Sequence, residues 1–104
     1  MAASVRDNPE KSRYEIEVDG ELAGFTEYHL HAGVLALTHT EVSPGFEGRG
    51  LASVLIGQAL DDARKRGLAV QPFCPFVRNY VVKHADLRDL VRPEDRERFD
   101  LSDA

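Results

Sequence analysis

A chain of 104 residues, 42% hydrophobic and 30% charged, has the make-up of one globular domain with a single core and no room for a second. Its formal net charge of −5 argues against a general binder of nucleic acid or anionic membrane, so an anionic ligand must be held by a local site against the overall field. No apolar run approaches membrane-spanning length and the N-terminus is polar, while a lone cysteine, Cys74, excludes an internal disulfide framework; a cytoplasmic location is expected.

Residues 1–11 read as a flexible leader, 12–91 as the domain, and 92–104 as a charged C-terminal tail. From Ser12 the pattern turns to strand, with Tyr14, Ile16 and Val18 alternating with Arg13, Glu15 and Glu17. Asp19-Gly20 is a two-residue hairpin signal between extended runs, and Glu21–Leu30 reads as the second strand. Ala32-Gly33 marks another tight turn. Val34–Val42 is the third strand, apolar on both faces at its start and therefore expected at the centre of the sheet.

Glu41-Val42-Ser43-Pro44-Gly45-Phe46-Glu47-Gly48-Arg49-Gly50-Leu51-Ala52 reads as a strand end, a glycine-rich turn and the start of an amphipathic helix. Gly45, Gly48 and Gly50 allow a sharp turn and close approach of backbone to a ligand. The first turn of the helix offers unpaired N–H groups and the positive end of its dipole, which suits an anion and most naturally a phosphate. The same segment also serves as a plain strand-to-helix connection. In the helix, Ala52, Leu55, Ile56, Ala59, Leu60 and Ala63 share one face. Asp61/Lys65 and Asp62/Arg66 are i,i+4 pairs in the favourable order, and Gly67 is the stop. Leu68–Phe73 follows as a short strand parallel to the third, closing a right-handed crossover. Pro75 opens a shorter helix carrying Phe76, Val77, Tyr80 and Val81.

These elements resemble the GNAT superfamily of acetyl-CoA-dependent N-acetyltransferases, and more closely its short, single-domain branch. The superfamily fingerprint, Gln/Arg-x-x-Gly-x-Gly/Ala between a strand and a helix, falls on Glu47-Gly48-Arg49-Gly50-Leu51-Ala52. The short branch adds a strand ending His-Thr-Glu-Val, here His39-Thr40-Glu41-Val42, and a Cys-Pro-Phe-Val-like turn, here Cys74-Pro75-Phe76-Val77. The resemblance spans about residues 12 to 91. It implies an α+β fold: a GNAT-like mixed sheet, antiparallel strands plus a parallel strand–helix–strand unit, with one main and one shorter helix. It also implies acetyl-CoA as cosubstrate, with pyrophosphate on the backbone of Glu47, Gly48, Arg49, Gly50, Leu51 and Ala52, and pantetheine between the strands ending at Val42 and Phe73. Glu47 departs from the usual Gln or Arg. Its carboxylate is expected to face solvent while Arg49 supplies positive charge.

Cys74 has two readings, a buried core thiol or a thiolate favoured by the following helix cap that accepts the acetyl group. Glu41 and His39 share one face of the strand with Thr40 on the other; either serves as the base that deprotonates an amine, or both are ordinary strand residues. A backbone N–H near Val42 is placed to polarise the thioester carbonyl. Asn79 reads as a pantetheine contact or an exposed helix position, and Tyr80 as a proton donor to the leaving thiolate or a packing residue. His29, His31 and His84 make no metal-ligand spacing with Cys74, and no metal is expected. Larger members of the superfamily carry helices between their first two strands that shape the acceptor site. Here Asp19-Gly20 leaves that space open. The resulting expectation is transfer of an acetyl group to an amine of a small molecule or protein, without nucleic acid or membrane as partner and with the oligomeric state undetermined. A non-enzymatic CoA-binding module is the alternative, and a protein-interaction domain the third reading.

Overall fold

Two dipeptides with left-handed backbone set the meander of the sheet. Asp19-Gly20 (φ +51° and +85°) and Ala32-Gly33 (φ +51° and +78°) have positive φ at both central positions, the turn whose twist matches antiparallel strands. The computed structural model describes residues 2–101; Met1 and residues 102–104 of the expected tail lie outside them. In chain order the elements are β1 (Ala3–Asn8), β2 (Arg13–Val18), β3 (Glu21–His31), β4 (Val34–Val42), α1 (Leu51–Lys65), β5 (Ala69–Pro72), α2 (Pro75–Lys83) and a short α3 (Pro93–Arg96), with 3-10 turns at Pro9–Lys11 and Ala85–Leu90. The sheet order is β1-β2-β3-β4-β5. Among the described residues only the β4–β5 pairing is parallel.

α1 buries Leu51, Ala52, Leu55, Ile56, Ala59, Leu60 and Ala63 against Tyr14, Ile16, Val18, Leu35, Leu37 and Val70 of the sheet. Removing such side chains from water contributes about 1.5–3 kcal/mol for each Leu or Ile. The helix ends in a Schellman motif: Leu68 N–H reaches Ala63 O at 2.9 Å and Gly67 N–H reaches Arg64 O at 3.1 Å. The expected ion pairs form, Lys65–Asp61 at 3.2 Å and Arg66–Asp62 at 3.1 Å. α2 buries Val77 and Val81, whereas Phe76 is exposed. The Tyr80 hydroxyl instead packs over Gly57, where a Cβ would lie 2.6 Å away. No helix among the described residues is long and apolar enough to cross a membrane.

Both ends differ from expectation. Where a flexible leader was expected, Ala3–Asn8 pairs antiparallel with β2 from Ala3↔Val18 to Asn8↔Arg13. Its stretch has little apolar alternation. It is held by the ladder and by polar contacts with buried Glu15, which accepts from Arg6 (3.3 Å), Asn8 (3.2 Å) and Arg13 (2.8 Å). The first two strands are therefore joined at residues 9–12, not at Asp19-Gly20, and that connection is a single 3-10 turn. At the other end, the expected charged tail buries Phe99 and Leu101. Arg64 pins the approach to it through paired bonds to Asp89 at 2.8 and 2.9 Å.

One irregularity in β4 matters most for the site. Glu27 pairs with His39 and Tyr28 with Leu37, so Thr38 is an extra residue on β4, a bulge. Side chains alternate along a strand, and the extra residue reverses their phase. Leu35 and Leu37 face the core before the bulge. After it, Thr40 takes that inner side, while His39 and Glu41 take the open side.

Candidate functional site

β5 follows β4 only from Val34↔Ala69 to Leu37↔Pro72. The last tie is Cys74 N–H to Leu37 O at 2.9 Å, after which the chain turns into α2. Residues 39–42 of β4 thus run on without β5 beside them, and the sheet opens into a wedge. The glycine turn lies at the end of this free segment. Gly45, Gly48 and Gly50 have φ of +90°, +79° and +72°, values that L side chains rarely adopt. The first intrahelical bond runs from Val54 N–H to Gly50 O, so the N–H groups of Leu51, Ala52 and Ser53 belong to the open first turn of α1.

A cavity of about 430 Å³ sits there, lined by Val42, Phe46, Glu47, Gly48, Gly50, Leu51, Ala52, Ser53 and Phe76. Its size is that of a small-ligand site, and its lining holds every residue expected to meet the pyrophosphate except Arg49. The Arg49 guanidinium instead stacks over Phe46 at 5.3 Å. Glu47 is exposed, as expected of its side chain. Its carboxylate accepts the Gly45 N–H at 3.0 Å, so one N–H of the turn already holds an anion supplied by the chain. Asn79 lies outside this cavity. It lines a neighbouring depression with Ser53, Ile56, Phe76, Tyr80, Lys83 and His84, and Phe76 and Ser53 border both.

The three expected catalytic residues fall into two groups. Cys74 is 4% exposed at the fork of the wedge, where its thiol donates to Thr40 Oγ1 at 3.3 Å. Thr40 and Thr26 share a hydroxyl hydrogen bond of 2.9 Å. This chain of side chains is uncharged and includes no base. Glu41 and His39 stand on the other side of β4, with Oε1 and Nε2 2.9 Å apart and side chains 57% and 51% exposed. Beside them, Phe25 lies 6.3 Å from the His39 ring, and Arg13 stacks over Phe25 at 4.4 Å. Arg13 is fixed in turn by Glu15. Burial pushes the Glu15 carboxyl up, but hydrogen bonds from Arg13 and Asn8 outweigh it and hold the pKa below the ordinary carboxylate range.

Sequence reasoning missed Thr40, Thr26 and Phe25. Thr40 and Phe25 acquire their neighbours only through strand pairing, and the one available signal for Thr26 was its place on a half-apolar strand. Gly24 was missed as well. A Cβ there would stand 2.7 Å from Glu41 O, so this glycine lets β3 approach the site segment of β4.

The profile of the GCN5-related N-acetyl-transferase family matches residues 13–90. Streptothricin acetyltransferase of Streptomyces lavendulae is 41% identical over 54 residues, covering 50% of this chain but 29% of that protein's length. In solved structures the chain is similar to a GCN5-like protein of Staphylococcus aureus, with a TM-score of 0.65, 18% identity, and 86% and 87% of the two chains covered. That likeness establishes the fold.

Proposed function

This chain belongs to the GCN5-related N-acetyltransferase family, and on that premise we propose that it moves an acetyl group from acetyl-CoA to an amine received on the open face of its sheet. The observation that carries the proposal is the position of the glycine turn and the first turn of α1 at the mouth of the wedge between β4 and β5. Backbone N–H groups of Gly48 to Ala52 hold the pyrophosphate, and the free edge of β4 receives the pantetheine. The depression past Ser53 and Phe76, reaching Asn79 and Lys83, gives room to the nucleotide end.

An ammonium must lose a proton before its lone pair attacks the thioester carbon. Glu41, backed by His39, takes that proton. The new C–N bond pushes the carbonyl electrons onto oxygen, where a backbone N–H near Val42 steadies the charge. Collapse then breaks the C–S bond, and the proton still held by the attacking nitrogen passes to the departing thiolate, so that CoA leaves as the thiol. Cys74 sits at the fork with its thiol donating a hydrogen bond to the Thr40 hydroxyl. This favours a role in shaping the acetyl pocket over one as covalent acceptor. The likeness to streptothricin acetyltransferase makes an amine on a small molecule the first acceptor class to screen.

The test is calorimetric titration with acetyl-CoA of the natural protein and of Gly50→Glu, which sets a carboxylate and a disfavoured φ at the turn. Affinity should fall at least about 100-fold with unchanged circular dichroism. Equal affinity would sink the pyrophosphate assignment. Release of CoA across an amine panel then separates turnover from binding alone.

A further inference from the structure

At the end of the open face remote from Glu41 lies a second depression, of about 320 Å³, lined by His29, His31, Ala32, Val34, Ala36, Gln71 and Arg92. His29 pairs with Ala36 and His31 with Val34 across β3 and β4, so both imidazoles stand over the small apolar residues of β4. Glu41 lies five positions beyond Ala36 on β4, roughly 17 Å at about 3.3 Å per residue. The depression is therefore not part of the acetyl site.

Its wall is built from behind. Asp95 is 8% exposed, and its Oδ2 accepts from Gln71 Nε2 at 3.2 Å and from Arg92 Nε and Nη2 at 3.3 and 3.1 Å. The hydrogen bond from Gln71 is the first cause, and those from Arg92 the second, that hold the Asp95 carboxyl below the usual range against the opposing effect of burial. One edge of the guanidinium is thereby clamped, with Glu94 at 3.9 Å from Nε. Nη1 is left without a protein acceptor among the described residues. Neither His29 nor His31 makes a hydrogen bond or ion pair among them.

We propose that this depression is a binding site for a small organic oxyanion, a carboxylate or phosphate ester with a short apolar body. Arg92 Nη1 and the two imidazole N–H groups donate to the oxygens, and Val34 and Ala36 form the floor. A metal cation is the poorer occupant. Asp95, the buried carboxylate behind the depression, is already engaged by Arg92 and Gln71, and the guanidinium repels a cation. The proposal stands apart from the acetyl-transfer reading and needs no acetyl-CoA.

The experiment follows the imidazole signals of His29 and His31 by two-dimensional NMR of the full chain at constant ionic strength and pH. Probes are isobutyrate, methyl phosphate, chloride as the control, and Zn²⁺. Saturable shifts at both histidines with isobutyrate or methyl phosphate, absent with chloride, support the site, and the tighter probe identifies the head group. Arg92→Gln should weaken that binding at least about tenfold. Because Arg92 also holds Asp95, His29→Gln/His31→Gln serves as a second variant that leaves Asp95 and Gln71 joined; it should show the same loss, read through the Arg92 side-chain signal. Acetyl-CoA affinity should not change in either variant. Shifts that fail to saturate, that chloride reproduces, or that Zn²⁺ alone induces would overturn the proposal.

Discussion

The two sides of β4 beyond Thr38 carry opposite chemistry within one short segment. The inner side holds Thr40, bonded to Thr26 and Cys74, all uncharged and shielded. The open side holds His39 and Glu41, ionisable, half-exposed and beside an aromatic platform. Proton transfer to and from an amine needs groups of the second kind. A thioester needs to be held away from water, which the first kind provides. The difference teaches that a single bulge decides which face of the sheet, and so which chemical surroundings, a strand residue joins.

The most direct way to break this comparison is to disable each side in turn. Glu41→Gln should lower kcat by about 10²- to 10⁴-fold, the usual contribution of a general base, with acetyl-CoA affinity unchanged by calorimetry. Cys74→Ser should keep kcat within about threefold, since no base touches the thiol. If the serine variant loses as much as Glu41→Gln, the reaction passes through the inner side. A mass gain of one acetyl on Cys74 would say the same.

The wedge itself can be disturbed from behind. Gly24→Ala would press a methyl group against Glu41 O, and overpacking of this kind costs about 1–3 kcal/mol. Urea denaturation should show that loss, together with reduced turnover as Glu41 shifts. Unchanged stability would mean that β3 and β4 separate more readily than their close approach indicates.

The platform beneath the open face has a pH signature. Glu15 has a folded pKa held below its ordinary value, so its contribution to stability is complete above the ordinary carboxylate range, near about 4.3. It is lost as pH falls through the lower folded value. Between pH 7 and 3, Tm should fall more steeply for the natural protein than for Glu15→Gln. Parallel curves would place the acid sensitivity elsewhere. A small effect of the opposite sign is expected at Glu47. Its carboxylate both occupies the Gly45 N–H and repels phosphate, so Glu47→Gln should tighten acetyl-CoA binding by about two- to fivefold, less at high salt. Weaker binding in the variant would show that this carboxylate organises the turn more than it opposes the ligand.

Much of this architecture was legible in the sequence because its determinants are local. Asp19-Gly20 and Ala32-Gly33 announce hairpins through the φ values they tolerate. The spacing of Ala52, Leu55, Ile56, Ala59, Leu60 and Ala63 announces a buried helix face, and Gly67 its end. The glycine turn between β4 and α1 was readable for the same reason: three glycines and a helix start are adjacent in the chain, so the turn and the open first turn of the helix form from neighbours. His39 and Glu41 on one face followed from simple alternation.

What tertiary structure alone decided involves partners far apart in sequence. Ala3–Asn8 becomes a strand because β2 offers it a ladder and Glu15 offers it polar contacts, neither of which its own pattern encodes. Leu101 is buried because the last segment folds back onto the core, where its apolar side chain leaves water. Above all, nothing local marks Thr38 as the extra residue. A bulge is a mismatch between two strands, and the register of β3 against β4 exists only once both are paired. That register brings Thr40 to Cys74 and sends His39 and Glu41 to the opposite side, because side chains alternate and one added residue exchanges the two faces.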